Sequence, residues 1–221
     1  SNLVSGDNNG EYVADVFLHE VDLPSICAQV SGEIPETECL ALEDLYDETN
    51  GDSWIDHTDW LATDTPCSWY GITCTSGHVT GISLENNNLD GTLPASLQDL
   101  DYLEGLYLAR NNLTGGIPPE LGTLANLQNL YLDDNLLSGG IPSELGNLSQ
   151  LQYLFLGMNP LGGTLPSSLG NLSQLRELFL SNTQISGSIP SSLGDLSQLQ
   201  ILYLYDNQLT GTIPSTFENL D

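Results

Sequence analysis

Five aromatic residues recur every 24 residues between positions 107 and 203, and their type and spacing favour a binding chemistry. They are Tyr107, Tyr131, Phe155, Phe179 and Tyr203. Each lies between two leucines, so on a strand the leucines would point inward and the ring outward. Tyrosine and phenylalanine bring a large apolar area, and the hydroxyl of tyrosine adds a polar tip that suits protein or sugar contacts. Stacked on successive strands, the rings would form a column roughly 20 Å long.

Other residues flank this predicted column, and many of them are polar or acidic. The flanking candidates for ligand binding are Arg110, Asp133, Asp134, Tyr153 and Tyr205, with Glu85, Asn129, Met158, Glu177 and Asp206 beside them. An acidic border would select a basic or neutral ligand. Neighbouring rings on a sheet also pack on one another and stiffen it. The column therefore has two interpretations, a recognition surface and a structural element.

Chemistry that makes or breaks bonds finds little support in the sequence. The histidines His19, His57 and His78 all precede the repeated strands, and neither a G-x-S-x-G nor a G-x-x-x-x-G-K motif occurs. An Asp133-Asp134 pair on an open sheet face would exclude little water, so its pKa values would shift little. We therefore predict a protein that is not an enzyme and that has no cofactor.

The four cysteines all lie before residue 79, at Cys27, Cys39, Cys67 and Cys74. Four cysteines allow three pairings. Pairing in sequence order would close two short loops in a segment too small to bury much core, where disulfides are most useful. Zinc binding is the competing interpretation, but the spacings differ from C-x-x-C and no histidine lies at ligand spacing. We predict two disulfides and no metal site.

The chain has 30 acidic residues against two basic ones, and its formal net charge is −28. Nucleic acid binding needs Lys and Arg to displace counterions, and anionic membranes repel such a charge, so neither is a predicted partner. No apolar run of about 18 residues occurs, so the sequence predicts no membrane span. Self-repulsion weakens a compact state unless salt screens it, so we predict that the melting temperature rises with ionic strength.

The elements that position the rings repeat with the same period. From Val79 onwards, six segments follow the pattern L-x-x-L-x-L-x-x-N-x-L-x-G-x-I/L-P-x-x-L/F-x-x-L. A fixed period of this size predicts a solenoid, in which each unit buries its apolar face only by stacking on its neighbours. The L-x-L step predicts parallel strands, the proline ends the ladder, and the return leg predicts a short helical turn on the outer face. The asparagine would bond the backbone of the turn, and because Thr183 replaces it once, we expect the weakest rung there.

The first 78 residues divide into an extension and a cap. Residues 1–35 are acidic, and an uneven apolar pattern at residues 12–18 predicts a short strand. Residues 36–78 form the predicted N-terminal cap, which begins with an amphipathic helix over residues 36–49. The apolar positions of this helix are Leu40, Leu42, Leu45 and Tyr46. A compact block with Trp54, Trp60 and Trp69 follows, and the six repeats occupy residues 79–221.

These residues resemble the plant-type leucine-rich repeat, and Cys67-Ser68-Trp69-Tyr70-Gly71-Ile72-Thr73-Cys74 is similar to that family's N-terminal cap motif, C-x-W-x-G-[IV]-x-C. The resemblance covers residues 37–221. It implies an α/β fold: a right-handed curved solenoid with a parallel sheet on the concave face, short helical or 3₁₀ segments on the convex face and a disulfide-tied cap. It also implies an extracellular role, because the family includes receptor-like kinase ectodomains and secreted inhibitors of pectin-degrading enzymes.

The predicted function is an extracellular recognition or adhesion module that binds a protein, peptide or glycan on its concave face. The alternative is a secreted inhibitor of an extracellular glycan-degrading enzyme. A third interpretation is an ice- or mineral-binding surface, based on a lateral row of hydroxyls that Gly116, Gly140 and Gly162 interrupt. The members of this row are Thr92, Thr114, Ser138, Thr164, Ser186, Ser188, Thr210 and Thr212.

Two further features concern modification and assembly. N-x-S/T sequons occur at Asn112, Asn147 and Asn171, and they predict glycosylation if a eukaryote secretes the chain, although Asn-Leu-Ser also fits the repeat pattern. The array stops at Asp221 without the polar cap that a free end needs. We expect the natural protein to continue, with an end-to-end homodimer through the last repeat as the second interpretation.

Overall fold

The computed structural model describes residues 25–29 and 32–219, so the strand predicted over residues 12–18 lies outside the described residues. In chain order the strands are β1 Ile72–Thr75, β2 His78–Ser83, β3 Asp90–Thr92, β4 Gly105–Tyr107, β5 Asn112–Thr114, β6 Asn129–Tyr131, β7 Tyr153–Phe155, β8 Glu177–Phe179, β9 Ser186–Ser188, β10 Ile201–Tyr203 and β11 Gln208–Thr210. The main sheet has seven strands in the order β1-β2-β4-β6-β7-β8-β10. β1 is antiparallel to β2, and every later pair is parallel, as the repeat predicts.

The repeated leucines form one continuous interior, which confirms the predicted solenoid. On β4 and just after it, Leu106 and Leu108 are fully buried while Tyr107 between them is half-buried. Leu127 and Leu151, which open the next two repeats, are also fully buried. Burying a leucine stabilises a fold by about 1.5–3 kcal/mol. Because neighbouring repeats share this burial, each repeat depends on the next one for its stability.

A short 3₁₀ turn occupies the outer leg of each repeat, as predicted. The turns are Ala95–Asp99, Pro119–Thr123, Ser143–Asn147, Ser167–Asn171, Ser191–Asp195 and Ser215–Asn219. An extended proline stands directly before the first five turns; at Pro142, for example, φ is −60° and ψ is 135°. The fixed φ and missing N–H of proline stop the preceding ladder at this point.

The N-terminal cap covers the first end of the repeat array. Its helix α1, Glu36–Glu48, is followed by Asn50 in a left-handed conformation with φ of 57°. Three of the four predicted apolar positions are buried, but Leu40 is 40% exposed, so the prediction for this residue is wrong. Cys39 and Ala41 are buried on either side of it. The buried face of the helix therefore includes a disulfide cysteine and a small residue in addition to the three predicted positions.

Two disulfides and a cluster of indole rings hold the cap together. In agreement with the sequence-order prediction, the disulfides are Cys27–Cys39 and Cys67–Cys74. Trp60 lies between the other two indoles, with ring centroids 4.9 Å from Trp54 and 5.1 Å from Trp69. All three rings are buried, and each indole N–H donates to a backbone carbonyl of the cap. The apolar area of the rings is thus buried without leaving a polar edge unpaired.

A ladder of buried asparagines joins the main sheet to the lateral segments. The amide of Asn159 donates to the carbonyls of Leu132 (2.9 Å) and Leu156 (3.0 Å). Its oxygen accepts from the N–H of Leu137 (3.0 Å). The same arrangement recurs at Asn111 and Asn135. These bonds confirm that the asparagine satisfies backbone groups that the turn would otherwise leave unpaired.

Thr183 takes the asparagine position in the fifth repeat and makes a smaller set of bonds. Its single hydroxyl proton is shared between the carbonyl of Leu180 (2.9 Å) and Oδ1 of Asn207 (2.8 Å). Within residues 32–219, its side chain reaches neither the carbonyl of Leu156 nor the N–H of Leu161, the two groups that an asparagine would bond. The Leu161 N–H donates instead to a carbonyl of its own turn (2.8 Å). The lower stability of this rung stays a prediction.

The lateral strands form two separate parallel pairs, β3 with β5 and β9 with β11, and one bridge joins Thr164 to Ser186. In the second, third and sixth repeats the residue after the asparagine position donates its N–H to the previous repeat, as Asn112 does to the carbonyl of Leu89 (2.8 Å). Pro160 holds this position in the fourth repeat and has no N–H. The lateral ladder is therefore interrupted there, while the main sheet continues.

The last repeat is less buried than the repeats before it, because no further described repeat covers it. Leu202, Leu204 and Leu209 are only partly buried, and Ile213 is 73% exposed. End-to-end association through this repeat stays a prediction.

Candidate functional site

The five predicted aromatic residues are each the last residue of a main-sheet strand, and the strand register aligns them. In register order they are Tyr107, Tyr131, Phe155, Phe179 and Tyr203. The residue before each ring on its strand is a leucine. Four of these leucines are buried, and the fifth, Leu202, is partly buried. Because side chains alternate along a strand, the rings project from the open face of the sheet. We call these five residues the aromatic column.

The rings of the aromatic column contact one another, and the contact geometry changes along it. The rings of Tyr107 and Tyr131 are T-shaped, and their centroids are 5.1 Å apart. The rings of Tyr131 and Phe155 are stacked, with centroids 4.5 Å apart and ring planes inclined by 6°. Phe155 and Phe179 are tilted by 48° at 5.8 Å, and Phe179 and Tyr203 are T-shaped at 5.5 Å. Such pairs contribute about 0.5–1.5 kcal/mol each beyond area burial. The column therefore stiffens the sheet, whatever else it does.

Two glycines make room for the rings. A Cβ added to Gly105 would lie 2.5 Å from the ring of Tyr107, and one added to Gly157 would overlap the ring of Phe179. At the register position of Gly105, the next two strands carry Asn129 and Tyr153. A residue larger than glycine therefore fits at this strand position only where the aromatic ring two residues further along the same strand points away from it.

The aromatic column is most open at its C-terminal end. Its first four rings are half-buried, whereas Tyr203 is 47% exposed. Tyr205, two residues further on, is 56% exposed, and its ring centroid lies 6.0 Å from that of Tyr203. The largest aromatic area that a partner can still bury lies here.

The charged candidates gather nearer the other end of the column. Asp133 is partly buried, and this burial raises the pKa of its carboxyl; Arg110 acts in the opposite direction, and Glu85 and Asp134 add to the rise. Arg110 and Asp134 are exposed and have φ of 60° and 56°, so they belong to the left-handed turn after the strand. The structure thus places these charges near one another but several strands away from Tyr203.

Two phenol groups of the column, those of Tyr107 and Tyr131, have raised pKa values. Burial raises the pKa of Tyr131 to about 12, and Tyr107 and Glu177 add to the shift. Burial also raises the pKa of Tyr107. At neutral pH these two residues therefore present ring faces and hydroxyl donors, which suits peptide and sugar contacts.

A second column runs beside the first, at the opening residue of each strand. In register order it consists of Gly105, Asn129, Tyr153, Glu177 and Ile201. Ile201 is absent from the predicted set, although the 24-residue spacing from Glu177 would have found it. The second column and the aromatic column together form a recess of about 290 Å³. The recess is lined by Phe155, Glu177, Leu178, Phe179, Ile201 and Tyr203.

His78 lies between the cap and the first repeat, away from the aromatic column. Its Nδ1 is 2.6 Å from Oε1 of the buried Glu38, and Oε2 of Glu38 accepts from the N–H of Val79 (2.8 Å). This pair ties α1 to β2. Across residues 25–29 and 32–219, no group of three His, Cys, Asp or Glu side chains is arranged to hold a metal ion. Nor is any helix there long and apolar enough to cross a bilayer.

The three sequon asparagines are exposed and lie off the concave strands. Asn112 begins β5, and Asn147 and Asn171 end the outer 3₁₀ turns of their repeats. Glycans at these positions would leave the aromatic column uncovered, and their attachment stays a prediction.

Three protein-family models match the repeated part of the chain. Two are described as leucine rich repeat and match residues 77–137 and 150–172. The third is described as leucine rich repeats in two copies and matches residues 173–220.

Similar proteins come from plants. Receptor-like protein 52 of Arabidopsis thaliana is 47% identical over 38 residues, which are 17% of this chain and 5% of that protein. The crystal structure of a plant ice-binding protein has a TM-score of 0.77 and 31% identity, over 86% of this chain and 62% of that one. The ectodomain of the Arabidopsis receptor kinase HAESA, solved with a peptide hormone ligand, has a TM-score of 0.66 and 31% identity, over 83% of this chain and 35% of that one. This chain therefore spans less than two thirds of each of these relatives.

Proposed function

We propose that this chain, which belongs to the leucine-rich repeat proteins, is the ligand-binding part of an extracellular receptor-like protein. Its ligand would be a peptide, or an extended segment of a protein, lying along the concave face. The observation that carries this proposal is the aromatic column with its open end at Tyr203 and Tyr205. Exposed aromatic rings on a rigid scaffold are the side chains that most often dominate binding energy. A glycan would use the same rings and is the alternative ligand.

The relatives support a peptide ligand in particular. The HAESA ectodomain, which was solved with a peptide hormone ligand, is similar over 83% of this chain. The main sheet, in which six of the seven strands are parallel, also offers a long, shallow face with side chains in register, which suits an extended chain better than a compact small molecule.

Three features support an extracellular setting. Both cysteine pairs are oxidised to disulfides, which persist in oxidising compartments. The three sequons are exposed, so we propose that they accept glycans where the secreting cell attaches them. The net charge of −28 leads us to propose a saline environment, which a melting temperature that rises with added salt would support.

We propose that the chain binds its ligand without catalysis. In the Asp133-Asp134 pair only Asp133 is partly buried, whereas Asp134 is exposed, so the two carboxylates do not share a site from which water is excluded. If the chain is instead a secreted inhibitor, the purified chain should slow an extracellular glycan-degrading enzyme. An activity assay of such an enzyme with and without the chain separates the two.

Ice binding is a second candidate because a plant ice-binding protein is similar over 86% of this chain. The surface concerned would be the lateral hydroxyl row, most of which lies on β3, β5, β9 and β11. The third and fourth repeats have no lateral strand, and this gap divides the surface into two pairs of strands. An ice-recrystallisation assay tests this candidate, and inhibition at micromolar protein that disappears in Thr210→Ala/Thr212→Ala would favour it.

Selection of a random peptide display library on the immobilised chain tests the peptide proposal. We expect enriched sequences on the wild type and on the lateral variant Thr210→Ala/Thr212→Ala. We expect at least about tenfold lower recovery of the same sequences on Tyr203→Ala/Tyr205→Ala. The two variants change the same repeat, so they control for its folding. Equal recovery on all three proteins would count against the concave face.

A further inference from the structure

The recess near the C-terminal end of the aromatic column has the composition of a site for a positive charge. The rings of Phe155, Phe179 and Tyr203 border the recess. The planes of Phe155 and Phe179 are inclined by 48°, and those of Phe179 and Tyr203 by 87°, so the three rings face the recess from different directions. The face of an aromatic ring carries negative electrostatic potential and attracts cations within about 6 Å.

The one charged side chain in the lining is Glu177. Its register partners on the neighbouring strands are Tyr153 and Ile201, so its surroundings are aromatic and aliphatic. The side chain is half-buried, and within residues 32–219 its carboxylate has no hydrogen-bond or ion-pair partner. The neighbouring Arg176 is exposed and makes no ion pair with it. A carboxylate that has no partner and lies beside ring surfaces gains from an added cation.

The size of the recess favours a side chain over a whole small molecule. Its volume of about 290 Å³ lies at the lower limit of ligand pockets, which hold roughly 300–1,000 Å³. A lysine or arginine has an aliphatic stem that can lie against rings while its charged end reaches a carboxylate. The net charge of −28 attracts a basic segment towards the chain in addition.

We propose that this recess takes one lysine or arginine side chain of the peptide ligand, with the stem between the rings and the charge against Glu177. The inference rests on the proposed function and specifies its ligand: a peptide with a basic residue at the position that faces β8 and β10. The same recess does not accommodate an acidic side chain, because Glu177 would repel it.

Titration with single-residue probes tests this inference on the full chain. The probes are the N-acetyl methylamides of lysine and arginine, with the norleucine counterpart as the neutral control of similar length. We expect saturable shifts in the aromatic NMR signals of Phe155, Phe179 and Tyr203 with the two cationic probes. We expect norleucine to bind at least about tenfold more weakly. Equal shifts with norleucine, or no ring shift with the cationic probes, would overturn the inference.

The variant Glu177→Gln, with Glu85→Gln as its matched control, assigns the preference to one carboxylate. Glu85 is another acidic residue next to the column but does not line the recess. Glu177→Gln should weaken both cationic probes about fivefold or more and leave norleucine unchanged, whereas Glu85→Gln should bind all three like the wild type. Cationic binding that survives Glu177→Gln undiminished would also overturn the inference. If peptide selection depends on Tyr203 and Tyr205 but the cationic probes fail, the inference alone fails; if both fail, so does the proposed function.

Discussion

The concave face and the lateral face are built from the same six repeats, yet one is continuous and the other is broken. On the concave face the strands pair through the whole array, and the rings follow the pairing. On the lateral face neither the third nor the fourth repeat has a strand, and in the fourth repeat Pro160 lacks an N–H. A repeat tolerates variation on one face while it maintains the other. The maintained face is therefore the better candidate for recognition along the length of the chain.

The internal asparagine ladder links both faces, so its loss should have the largest effect. Asn159→Ala would leave the buried N–H of Leu137 and carbonyl of Leu156 without their side-chain partner. Each unpaired buried group costs about 1–3 kcal/mol, so we expect a loss of about 3 kcal/mol in urea unfolding. Asn112→Ala is the control, because Asn112 is exposed and its side chain makes one bond of 3.2 Å. A loss no larger than that of the control would contradict the ladder's role.

The two parts of the aromatic column should differ in their contribution to stability. Phe155 is half-buried between Tyr131 and Phe179, whereas Tyr203 is 47% exposed. We expect Phe155→Ala to lower the free energy of unfolding by about 2 kcal/mol and Tyr203→Ala by less than about 1 kcal/mol. Urea unfolding of both variants measures the difference. Equal losses would mean that the open end is as structural as the middle.

Restoring the consensus at the interrupted rung should stabilise the chain. Thr183→Asn adds a donor for the carbonyl of Leu156, and its Oδ1 offers the N–H of Leu161 an alternative to its present bond with the carbonyl of Asn159. Each restored bond contributes about 0.5–1.5 kcal/mol before the ordering of the side chain is subtracted, so we expect a gain of about 1 kcal/mol. Thr210→Asn, on the exposed lateral strand β11, should change stability by less than about 0.5 kcal/mol. A destabilised Thr183→Asn would show that the neighbouring turn has adapted to threonine.

The smallest effect concerns the charge of Asp133. Burial raises its folded pKa above the reference value of 3.8. The folded state therefore favours the neutral carboxyl, and this stabilisation is complete below pH 3.8 and lost as the pH rises through the folded pKa. Asp133→Asn should then raise the melting temperature at pH 7 by about 1–2 °C and have no advantage at pH 3. Asp134→Asn removes the same charge from an exposed position, and an equal gain there would assign the effect to net charge.

The sequence predicts the features that repeat and misses those that depend on one contact. The 24-residue period identifies the buried leucines, the parallel strands and the aromatic column, because stacking forces equivalent positions into register. It does not predict that Leu40 is exposed, because a disulfide at Cys39 helps to orient α1. Nor does it predict which way each ring leans, since Gly105 and Gly157 decide this locally. The recess at Glu177 follows from those ring orientations, so only the structure reveals it.

Intermolecular NOEs between a selected, isotope-labelled peptide and the full chain test the concave-face proposal most directly. The account predicts contacts from the peptide to ring protons of Tyr153, Phe179 and Tyr203. Contacts confined to the methyl groups of Thr164, Thr210 and Thr212 would place the ligand on the lateral face and contradict it.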